Sequence, residues 1–192
     1  MFAIIQNIDC YIFHLFNSTL INPLFDKLMP LITQQQNWNI TYILLIILLL
    51  WKGGKNGRIL FAMILITIII SDQLSSNLIK SFVARPRPCH TLLNVRLLID
   101  CGPGYSFPSS HAVNNFALAV ILAYFYSGYR YLFYAIAFLI AYSRVYVGVH
   151  YPIDVISGAL IGIIIANILL FMYRIIAEKY KYFQLTVPQG DR

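Results

Sequence analysis

The sequence predicts an all-α integral membrane protein, a helical bundle of five to six transmembrane helices with an amphipathic N-terminal segment. Hydrophobic residues make up 59% of the 192 residues and charged residues only 11%, against roughly 45–50% and about 25% in an average soluble domain. A chain with so little charge cannot cover a water-exposed surface, and its mean hydropathy of +0.71 agrees. The composition therefore excludes a soluble enzyme, a disordered chain and a disulfide-rich mini-protein.

Residues 1–32 are predicted to form short amphipathic helices. The first helix carries its apolar side chains at helical spacing on one face and its polar ones elsewhere, including Asp9 and His14. Pro23 opens a second helix, and Pro30 is predicted to kink or end it before Leu31. Amphipathic helices of low net hydrophobicity lie in the membrane interface rather than across it. A sixth span is the alternative for this segment.

Residues 33–173 form the predicted transmembrane core, because a spanning helix needs about 20 mostly apolar residues. Flanking Tyr and Trp extend the shorter apolar runs into the headgroup region. The five predicted spans are 40–51, 59–79, 111–126, 131–146 and 153–173. Residues 174–192 are predicted to be a cytoplasmic tail, with 184–192 disordered.

The loop at 51–58 carries three basic residues and is predicted to be cytoplasmic. Counting from it places the loops 81–110 and 147–152 outside. Some basic residues break this charge rule because they fall on or near the outer side. They are Lys80, Arg85, Arg87, Arg96 and Arg144. We expect the function to lie where the rule is broken.

The net charge is +7, from 14 Lys and Arg against 7 Asp and Glu. The basic residues lie in short gaps between apolar runs rather than in one tract. This arrangement favours anionic lipid or a phosphorylated substrate, and not nucleic acid, as the partner. The first basic residue is Lys27, so the sequence predicts insertion by the spans themselves and not by a cleavable signal peptide.

The first of three polar clusters runs from Lys80 to Pro88 and closes the second predicted span, because Pro86 and Pro88 cannot continue a helix. Taken alone, Lys80 and Arg87 also fit interfacial anchors whose charged ends reach the headgroups.

The second cluster is 107–111. Ser109 fits an N-cap of the third span, whose free N–H groups and dipole favour an anion. Taken alone, this cluster also fits simple helix capping.

The third cluster places Arg144 six positions before His150 and Asp154 four positions after it. His150 and Asp154 would share a helix face, and a carboxylate beside an imidazole fixes its tautomer and orientation. Taken alone, Asp154 also fits a helix cap. Ionisable residues near membrane depth are costly, however, and are functional candidates by default.

The predicted topology brings all three clusters to the outer face. One layer then holds three cations, two histidines and a carboxylate, which together fit a site for a phosphoryl group. Cations and helix-end amides would hold the oxygens, one histidine would attack phosphorus, and the other would donate a proton.

These residues also carry a resemblance to a known family. Six residues separate Lys80 from Arg87-Pro88, and Pro108-Ser109-Ser110-His111 follows. Five residues then separate Ser143-Arg144 from His150, and three separate His150 from Asp154. The order resembles the three-part signature of the type 2 phosphatidic acid phosphatase superfamily, an all-α membrane family. The short chain and its minimal loops are similar to small bacterial members such as lipid A 1-phosphatases. This resemblance implies a bacterial inner membrane, with the outer loops on its periplasmic face. That family usually has glycine where this chain has Ser110, although serine still presents its backbone N–H.

The resemblance implies a role for each residue. His150 would be the nucleophile that forms a phosphohistidine, Asp154 would hold and polarise it, and His111 would protonate the leaving oxygen and then activate water. The phosphate oxygens would be bound by Lys80, Arg87, Arg144, Ser109 and the amides near Ser110. The resemblance also implies that no metal or other cofactor is needed, since three fixed cations do the work of a divalent ion.

The implied substrate is a lipid phosphate monoester or pyrophosphate whose chains stay in the bilayer. Lipid A 1-phosphate or phosphatidylglycerophosphate is favoured, and undecaprenyl pyrophosphate is the alternative, because the motifs recognise phosphate and not the lipid. From other classes, an anion or lipid transporter and a catalytically inert lipid-binding relative stay open.

Other residues receive structural predictions. Cys89 and Cys101, which share the outer loop, either form a disulfide or stay free thiols. Arg85 lies outside the matched positions and is expected to be a headgroup-facing anchor. Asp72 is expected to make a polar contact beneath the site. Small residues at 158, 162 and 166 predict close packing of the last span within the bundle.

Overall fold

The computed structural model describes residues 2–186, with side chains described for residues 4–179. All regular elements in that part are helical, which confirms the predicted class. The α-helices are α1 (Phe2–His14), α2 (Pro23–Thr33), α3 (Asn39–Lys52), α4 (Gly54–Asp72), α5 (Lys80–Val83), α6 (Pro88–Thr91), α7 (Ser110–Phe125), α8 (Arg130–Tyr146) and α9 (Pro152–Thr186). Short π-helical or 3₁₀ turns cover Leu15–Thr19, Gln35–Trp38, Gln73–Ile79 and Ser127–Tyr129.

Helices α3, α4, α7, α8 and α9 fall where the sequence predicts spans. Two stretches are long and apolar enough to cross a bilayer by themselves, Gly54–Thr91 and Pro152–Lys179. Helices α3, α7 and α8 have 14, 16 and 17 residues. At 1.5 Å per residue they reach about 21–26 Å, short of the roughly 30 Å hydrocarbon core. The total of five to six spans therefore stays a prediction.

Two helices continue beyond the end that the sequence suggests. Of the two alternatives for Pro30, a kink or an end of α2, the end is wrong, because α2 continues to Thr33. Pro30 forfeits only the bond to the carbonyl of Asp26, while the burial of Met29 and Thr33 holds the last turn in place. Helix α9 continues past Tyr173 to Thr186, so 184–186 are helical. Residues 187–192 lie outside the described part of the chain.

The N-terminal helices pack onto the end of α8 and the outer loop. The Asn17 side-chain amide donates to the carbonyls of Arg96, at 2.8 Å, and Tyr146, at 2.9 Å. The Tyr146 hydroxyl donates in turn to Asp26 at 2.7 Å, and Arg96 forms an ion pair with Asp26 at 2.6 Å. These contacts join the predicted amphipathic segment to the loop 81–110 and to the end of α8.

Helix α7 lies at the centre of the bundle, packed against α4, α8 and α9. The close contact with α9 depends on glycine. A Cβ at Gly158 would lie 2.8 Å from the Ser109 carbonyl oxygen, and one at Gly162 would collide with the Val113 carbonyl oxygen. This confirms that the small residues serve packing within the bundle. It also brings the beginnings of α7 and α9 together, with the Ser109 N–H donating to the Asp154 carbonyl at 3.0 Å.

The loop between α6 and α7 is fastened at several points. Cys89 and Cys101 form a disulfide, with their Cα atoms 6.3 Å apart, so the first of the two alternatives for these cysteines is confirmed. The N–H of Ser106 donates to the Arg85 carbonyl at 2.7 Å. The loop is therefore held beside the beginnings of α7 and α9.

Candidate active site

The turn at 147–151 joins α8 to α9 and carries His150. The Arg144 carbonyl accepts hydrogen bonds from the N–H groups of Val149, at 3.2 Å, and His150, at 3.3 Å. Gly148 has a φ of +93°, and a Cβ there would lie 2.8 Å from the Arg96 carbonyl oxygen. Only glycine meets both the backbone angle and the close approach. The glycine at position 148 thus allows the turn that determines the position of His150.

His150 is 1% exposed, and its charged neighbours include three cations, Lys80, Arg87 and Arg144. Arg87 reaches the turn with Nη1 donating to the Val149 carbonyl at 3.5 Å. Burial first, and then the charges of Arg144, Arg87 and Lys80, hold the pKa of His150 well below its usual range. The imidazole is therefore neutral, which leaves a lone pair on one of its ring nitrogens.

A cavity of about 600 Å³ lies beside these cations. Its lining includes Arg87, His111 and Arg144, one residue from each predicted cluster. At its wall, Nη1 of Arg144 donates to the Thr33 hydroxyl at 2.8 Å. His150 is not part of the lining, but it acts electrostatically on His111, as do Arg144 and Lys80. The three separate stretches of sequence therefore meet in one place, as the sequence predicts.

Three buried polar atoms in this place have no hydrogen-bond partner. They are Oγ of Ser109, Nε of Arg144 and Nδ1 of His150. Among the described side chains, only Thr67 and Arg96 contribute another such atom. Because buried polar groups are nearly always paired, unused hydrogen-bonding capacity concentrated at one site indicates a site built for a polar ligand. A hydroxyl and a guanidinium beside two further cations suit an anion.

Ser109 occupies the N-cap position of α7, but its hydroxyl makes no capping bond. Simple capping by that side chain is therefore excluded. Beneath it, the hydroxyls of Ser110 and Ser76 lie 3.0 Å apart, and Ser76 donates to Asp72 at 3.0 Å. Asp72 thus makes the polar contact predicted beneath the site, and it ties α4 to the first turn of α7.

Asp154 lies beside His150, but its Oδ2 is 3.6 Å from Nδ1 of the imidazole, longer than a hydrogen bond. Both carboxylate oxygens are engaged elsewhere. Oδ2 accepts from the Tyr151 N–H at 2.9 Å, and Oδ1 accepts from Arg85 at 2.6 Å. In this structure the carboxylate fixes the turn around His150, and its role in polarising the imidazole stays a prediction.

Arg85 is not the headgroup-facing anchor that the sequence predicts. It is half-buried and bridges two carboxylates, donating to Asp154 and, at 2.6 Å, to Asp9. Sequence reasoning missed both residues because the burial of Asp9 depends on α1 folding back onto the site. A signal was present, however. Asp9 is the only Asp, Glu, Lys or Arg before Asp26, and an isolated charge in an apolar helix needs a partner.

The side chains near this site offer few ligands for a metal ion. Among the described side chains, one group could hold an ion, formed by Cys89, His90 and Cys101. The two cysteines are joined in a disulfide and so offer no thiolate. The side chains around His150 are mainly cationic, and the carboxylate of Asp154 is already bound to Arg85. The donor set therefore suits a phosphate rather than a metal.

The family model described as "PAP2 superfamily" matches residues 61–178, a stretch that contains all three clusters. The chain belongs to the PAP2 superfamily. It is a membrane lipid phosphatase, a hydrolase of phosphate esters, which confirms the resemblance seen in the sequence.

Three relatives illustrate the similarity. The lipid A 4'-phosphatase of Porphyromonas gingivalis is 31% identical over 166 residues, 80% of this chain and 67% of that protein. The crystal structure of Aquifex aeolicus LpxE has a TM-score of 0.67 and 32% identity, covering 85% of this chain and 94% of the other. A transmembrane PAP2-type phosphatidylglycerolphosphate phosphatase from Bacillus subtilis has a TM-score of 0.63 at 21% identity, covering 97% and 89%; at that identity the likeness shows the fold.

Proposed function

We propose that this PAP2 phosphatase removes the phosphate from a lipid that carries it on a sugar, such as lipid A, through a phosphohistidine on His150. The observation that carries the proposal is the convergence of three clusters on one place. Arg87, His111 and Arg144 line one cavity, while Lys80 joins the two arginines around a neutral, buried His150. Such a set binds a phosphoryl group and offers a nucleophile to it.

The first step follows from these positions. Nδ1 of His150 is turned towards Asp154, so Nε2 attacks phosphorus. The negative charge of the bound phosphate offsets the neighbouring cations and favours the protonated form of His111. The bond between phosphorus and the lipid oxygen breaks, and His111 gives its proton to that oxygen. Lys80, Arg87 and Arg144 stabilise the charge on the other phosphate oxygens. The hydroxyl of Ser109 adds a donor.

The second step returns the enzyme to its starting state. His111, now without its proton, takes one from a water molecule as that water attacks phosphorus. The bond between phosphorus and Nε2 of His150 breaks, and inorganic phosphate leaves. His111 is again protonated and His150 again neutral. No metal enters either step, because the cations are supplied by the chain.

The cavity supports a sugar-linked phosphate over a pyrophosphate. Beyond the cations its wall is formed by uncharged amide side chains, those of Gln34, Gln35, Gln36 and Asn39, together with Asp100. Amides both donate and accept hydrogen bonds, as sugar hydroxyls require. A second phosphate directly attached to the first would meet Asp100 and neutral groups where it needs cations. The similarity to a lipid A 4'-phosphatase favours the same substrate class.

Three observations support a site at the periplasmic face of a bacterial inner membrane. The basic loop at 51–58 lies at the opposite end of α4 from Lys80, as the positive-inside rule requires. The disulfide between Cys89 and Cys101 suits an oxidising compartment. Ile4, Ile8 and Tyr11 of α1 are largely exposed, as expected for a helix whose apolar face meets lipid.

The test is phosphate release by the purified protein in detergent from three lipids: lipid A, phosphatidylglycerophosphate and undecaprenyl pyrophosphate. We expect lipid A to be the best substrate, and mass spectrometry of the product gives the position, 1 or 4', that loses its phosphate. His150→Ala should lower the rate at least about 1,000-fold, a loss of about 4 kcal/mol of transition-state stabilisation. The control is His14→Ala, because this histidine of α1 does not line the cavity.

Two results would contradict the proposal. Near-normal phosphate release by His150→Ala would remove the nucleophile assignment. Faster release from undecaprenyl pyrophosphate than from lipid A would overturn the substrate assignment while leaving the nucleophile in place.

A further inference from the structure

The N-terminal helix supplies a buried charge to the catalytic turn. Asp9 of α1 is 1% exposed. Its Oδ2 accepts from Nη2 of Arg85 at 2.6 Å, and its Oδ1 accepts from the Ile153 N–H at 2.9 Å. One carboxylate therefore holds both the guanidinium that binds Asp154 and the first turn of α9.

Arg85 is held from several sides. Its two terminal nitrogens donate to different carboxylates, Asp9 and Asp154, each at 2.6 Å. Its guanidinium carbon lies 3.9 Å from the centre of the Tyr151 ring, the residue that follows His150. Its carbonyl accepts from the N–H and hydroxyl of Ser106. The planar guanidinium of arginine carries N–H donors at two ends, so it can bridge two carboxylates, whereas the ammonium group of a lysine is a single point charge.

We propose that Asp9 and Arg85 are positioning residues for the phosphoryl transfer, because through Asp154 and the Tyr151 ring they fix the turn that aims His150. The inference rests on the proposed role of His150 as the nucleophile. It assigns a part in the reaction to α1, for which the sequence predicts an interfacial helix or a sixth span and no role in catalysis. Neither side chain touches the phosphate; both act through Asp154 and the turn.

The expected changes in KM and kcat follow because phosphate binding and the positioning of His150 are assigned to different residues. The phosphate is bound by Lys80, Arg87 and Arg144, which the bridge does not contact, so KM should change less than about threefold. The geometry of attack depends on the turn, so kcat should fall. Partners that orient a reacting histidine from outside typically contribute about 10- to 100-fold, and we expect a loss of that size for Asp9→Asn and for Arg85→Lys.

The chain provides a matched control in the pair Asp26–Arg96. It has the same 2.6 Å distance and also joins the N-terminal segment to the outer loop. Among the described residues, the side-chain hydrogen bonds of this pair reach Asn17 and Tyr146, and not Asp154 or the turn at 148–151. Asp26→Asn and Arg96→Lys should therefore leave kcat within about threefold of wild type, even where they lower the melting temperature.

The experiment measures kcat, KM and melting temperature of full-length variants in detergent, with p-nitrophenyl phosphate as substrate. Release from the lipid panel by the wild type tests the proposed function separately, since the variant-to-wild-type ratio does not depend on the physiological lipid. The double variant Asp9→Asn/Arg85→Lys should be no slower than the slower single variant, because both changes break one bridge. Asp9→Glu, which keeps the charge, should recover part of kcat.

The inference is supported if kcat falls at nearly constant KM in the Asp9 and Arg85 variants alone. An unchanged kcat would overturn it. An equal loss of kcat in the Asp26 and Arg96 variants would also overturn it. So would a kcat that falls across all variants in proportion to the drop in melting temperature. Each outcome would assign the bridge to stability and not to catalysis.

Discussion

The hydroxyl of Ser109 is wholly buried and unpaired, so the folded protein loses no hydrogen bond when it is removed. We expect Ser109→Ala to melt close to the wild-type temperature. A hydrogen bond to a charged group contributes about 1.5–3 kcal/mol, so kcat/KM should fall about 10-fold or more. Steady-state kinetics and a thermal melt measure both quantities.

The control for Ser109 is Ser71, another wholly buried serine, whose hydroxyl donates to Asn114 at 2.6 Å. Ser71→Ala should show the opposite pattern, with a lower melting temperature and a nearly unchanged kcat/KM. If Ser109→Ala loses stability and keeps its activity, the hydroxyl serves the fold and not the phosphate.

His150 makes the stability of the protein depend on pH. Its pKa is well below the usual range in the folded state because of burial and the nearby cations; in the unfolded chain it returns to about 6.5. Below pH 6.5 the unfolded state therefore binds a proton that the folded state does not, and the free energy of unfolding falls. The slope approaches about 1.4 kcal/mol per pH unit.

The measurement is denaturant unfolding in detergent between pH 7.5 and 5.5, compared with His150→Gln. The wild type should lose more stability on acidification than the variant, whose residue 150 does not titrate. Parallel curves for the two proteins would show that His150 takes up its proton equally in both states.

Single residues of the site could be predicted where spacing alone carried the information. Lys80, Arg87 and His111 follow from fixed intervals along the chain, and the structure brings them together as expected. Asp9 and Arg85 could not be predicted in the same way. Their pairing spans 76 positions and exists only because α1 folds against the beginning of α9.

Helices α7 and α9 approach closely because Gly162 has no side chain. In an exposed helix, Gly→Ala would stabilise by about 1 kcal/mol through helix propensity. At Gly162 the new methyl group would collide with the backbone carbonyl of Val113, and overpacking typically costs about 1–3 kcal/mol. We therefore expect Gly162→Ala to lower the melting temperature of the protein in detergent.

Gly128 provides the comparison for Gly162, since a Cβ there meets nothing within 4 Å. Gly128→Ala should melt at or slightly above the wild-type temperature. A Gly162→Ala protein that is equally stable would mean that α7 and α9 do not pack in close contact at this position.

At the scale of helices, hydropathy correctly predicts which helices exist and in what order. It predicts less well the residues at which they end. All five predicted spans correspond to helices, because apolar runs between charged gaps leave few alternatives. The end of α2 was missed since the burial of Met29 and Thr33 outweighs the local effect of Pro30. Such packing is not readable from a local stretch of sequence.

At the scale of the whole molecule, the proposed mechanism assigns to the cations of the chain the phosphate binding that a metal ion performs in other phosphatases. Activity on lipid A should therefore survive saturating EDTA and dialysis, and added Mg²⁺ should not raise kcat. Elemental analysis of the active protein provides the companion measurement. A chelator-sensitive rate that returns with a divalent ion would contradict the assignment of phosphate binding to Lys80, Arg87 and Arg144.

At this scale the sequence predicted the architecture and the meeting of three distant clusters, since an outer face collects alternate loops of a bundle. The shape of the cavity could not be predicted from the sequence. Its amide wall comes from 34–39, a segment that joins α2 to α3 and belongs to no motif. Its position beside Arg144 follows from how α2 packs on α8, through the bond between Arg144 and Thr33.

The central claim is that His150 takes the phosphoryl group, and trapping that intermediate tests it most directly. In His111→Ala the second step lacks its base, whereas the first step needs no acid when the leaving group is p-nitrophenolate. Incubation of His111→Ala with ³²P-labelled p-nitrophenyl phosphate should give a burst of about one p-nitrophenolate per protein. The label should be stable to alkali and labile to acid, and should lie on the peptide that carries His150. No burst, or label elsewhere in the chain, would contradict the claim.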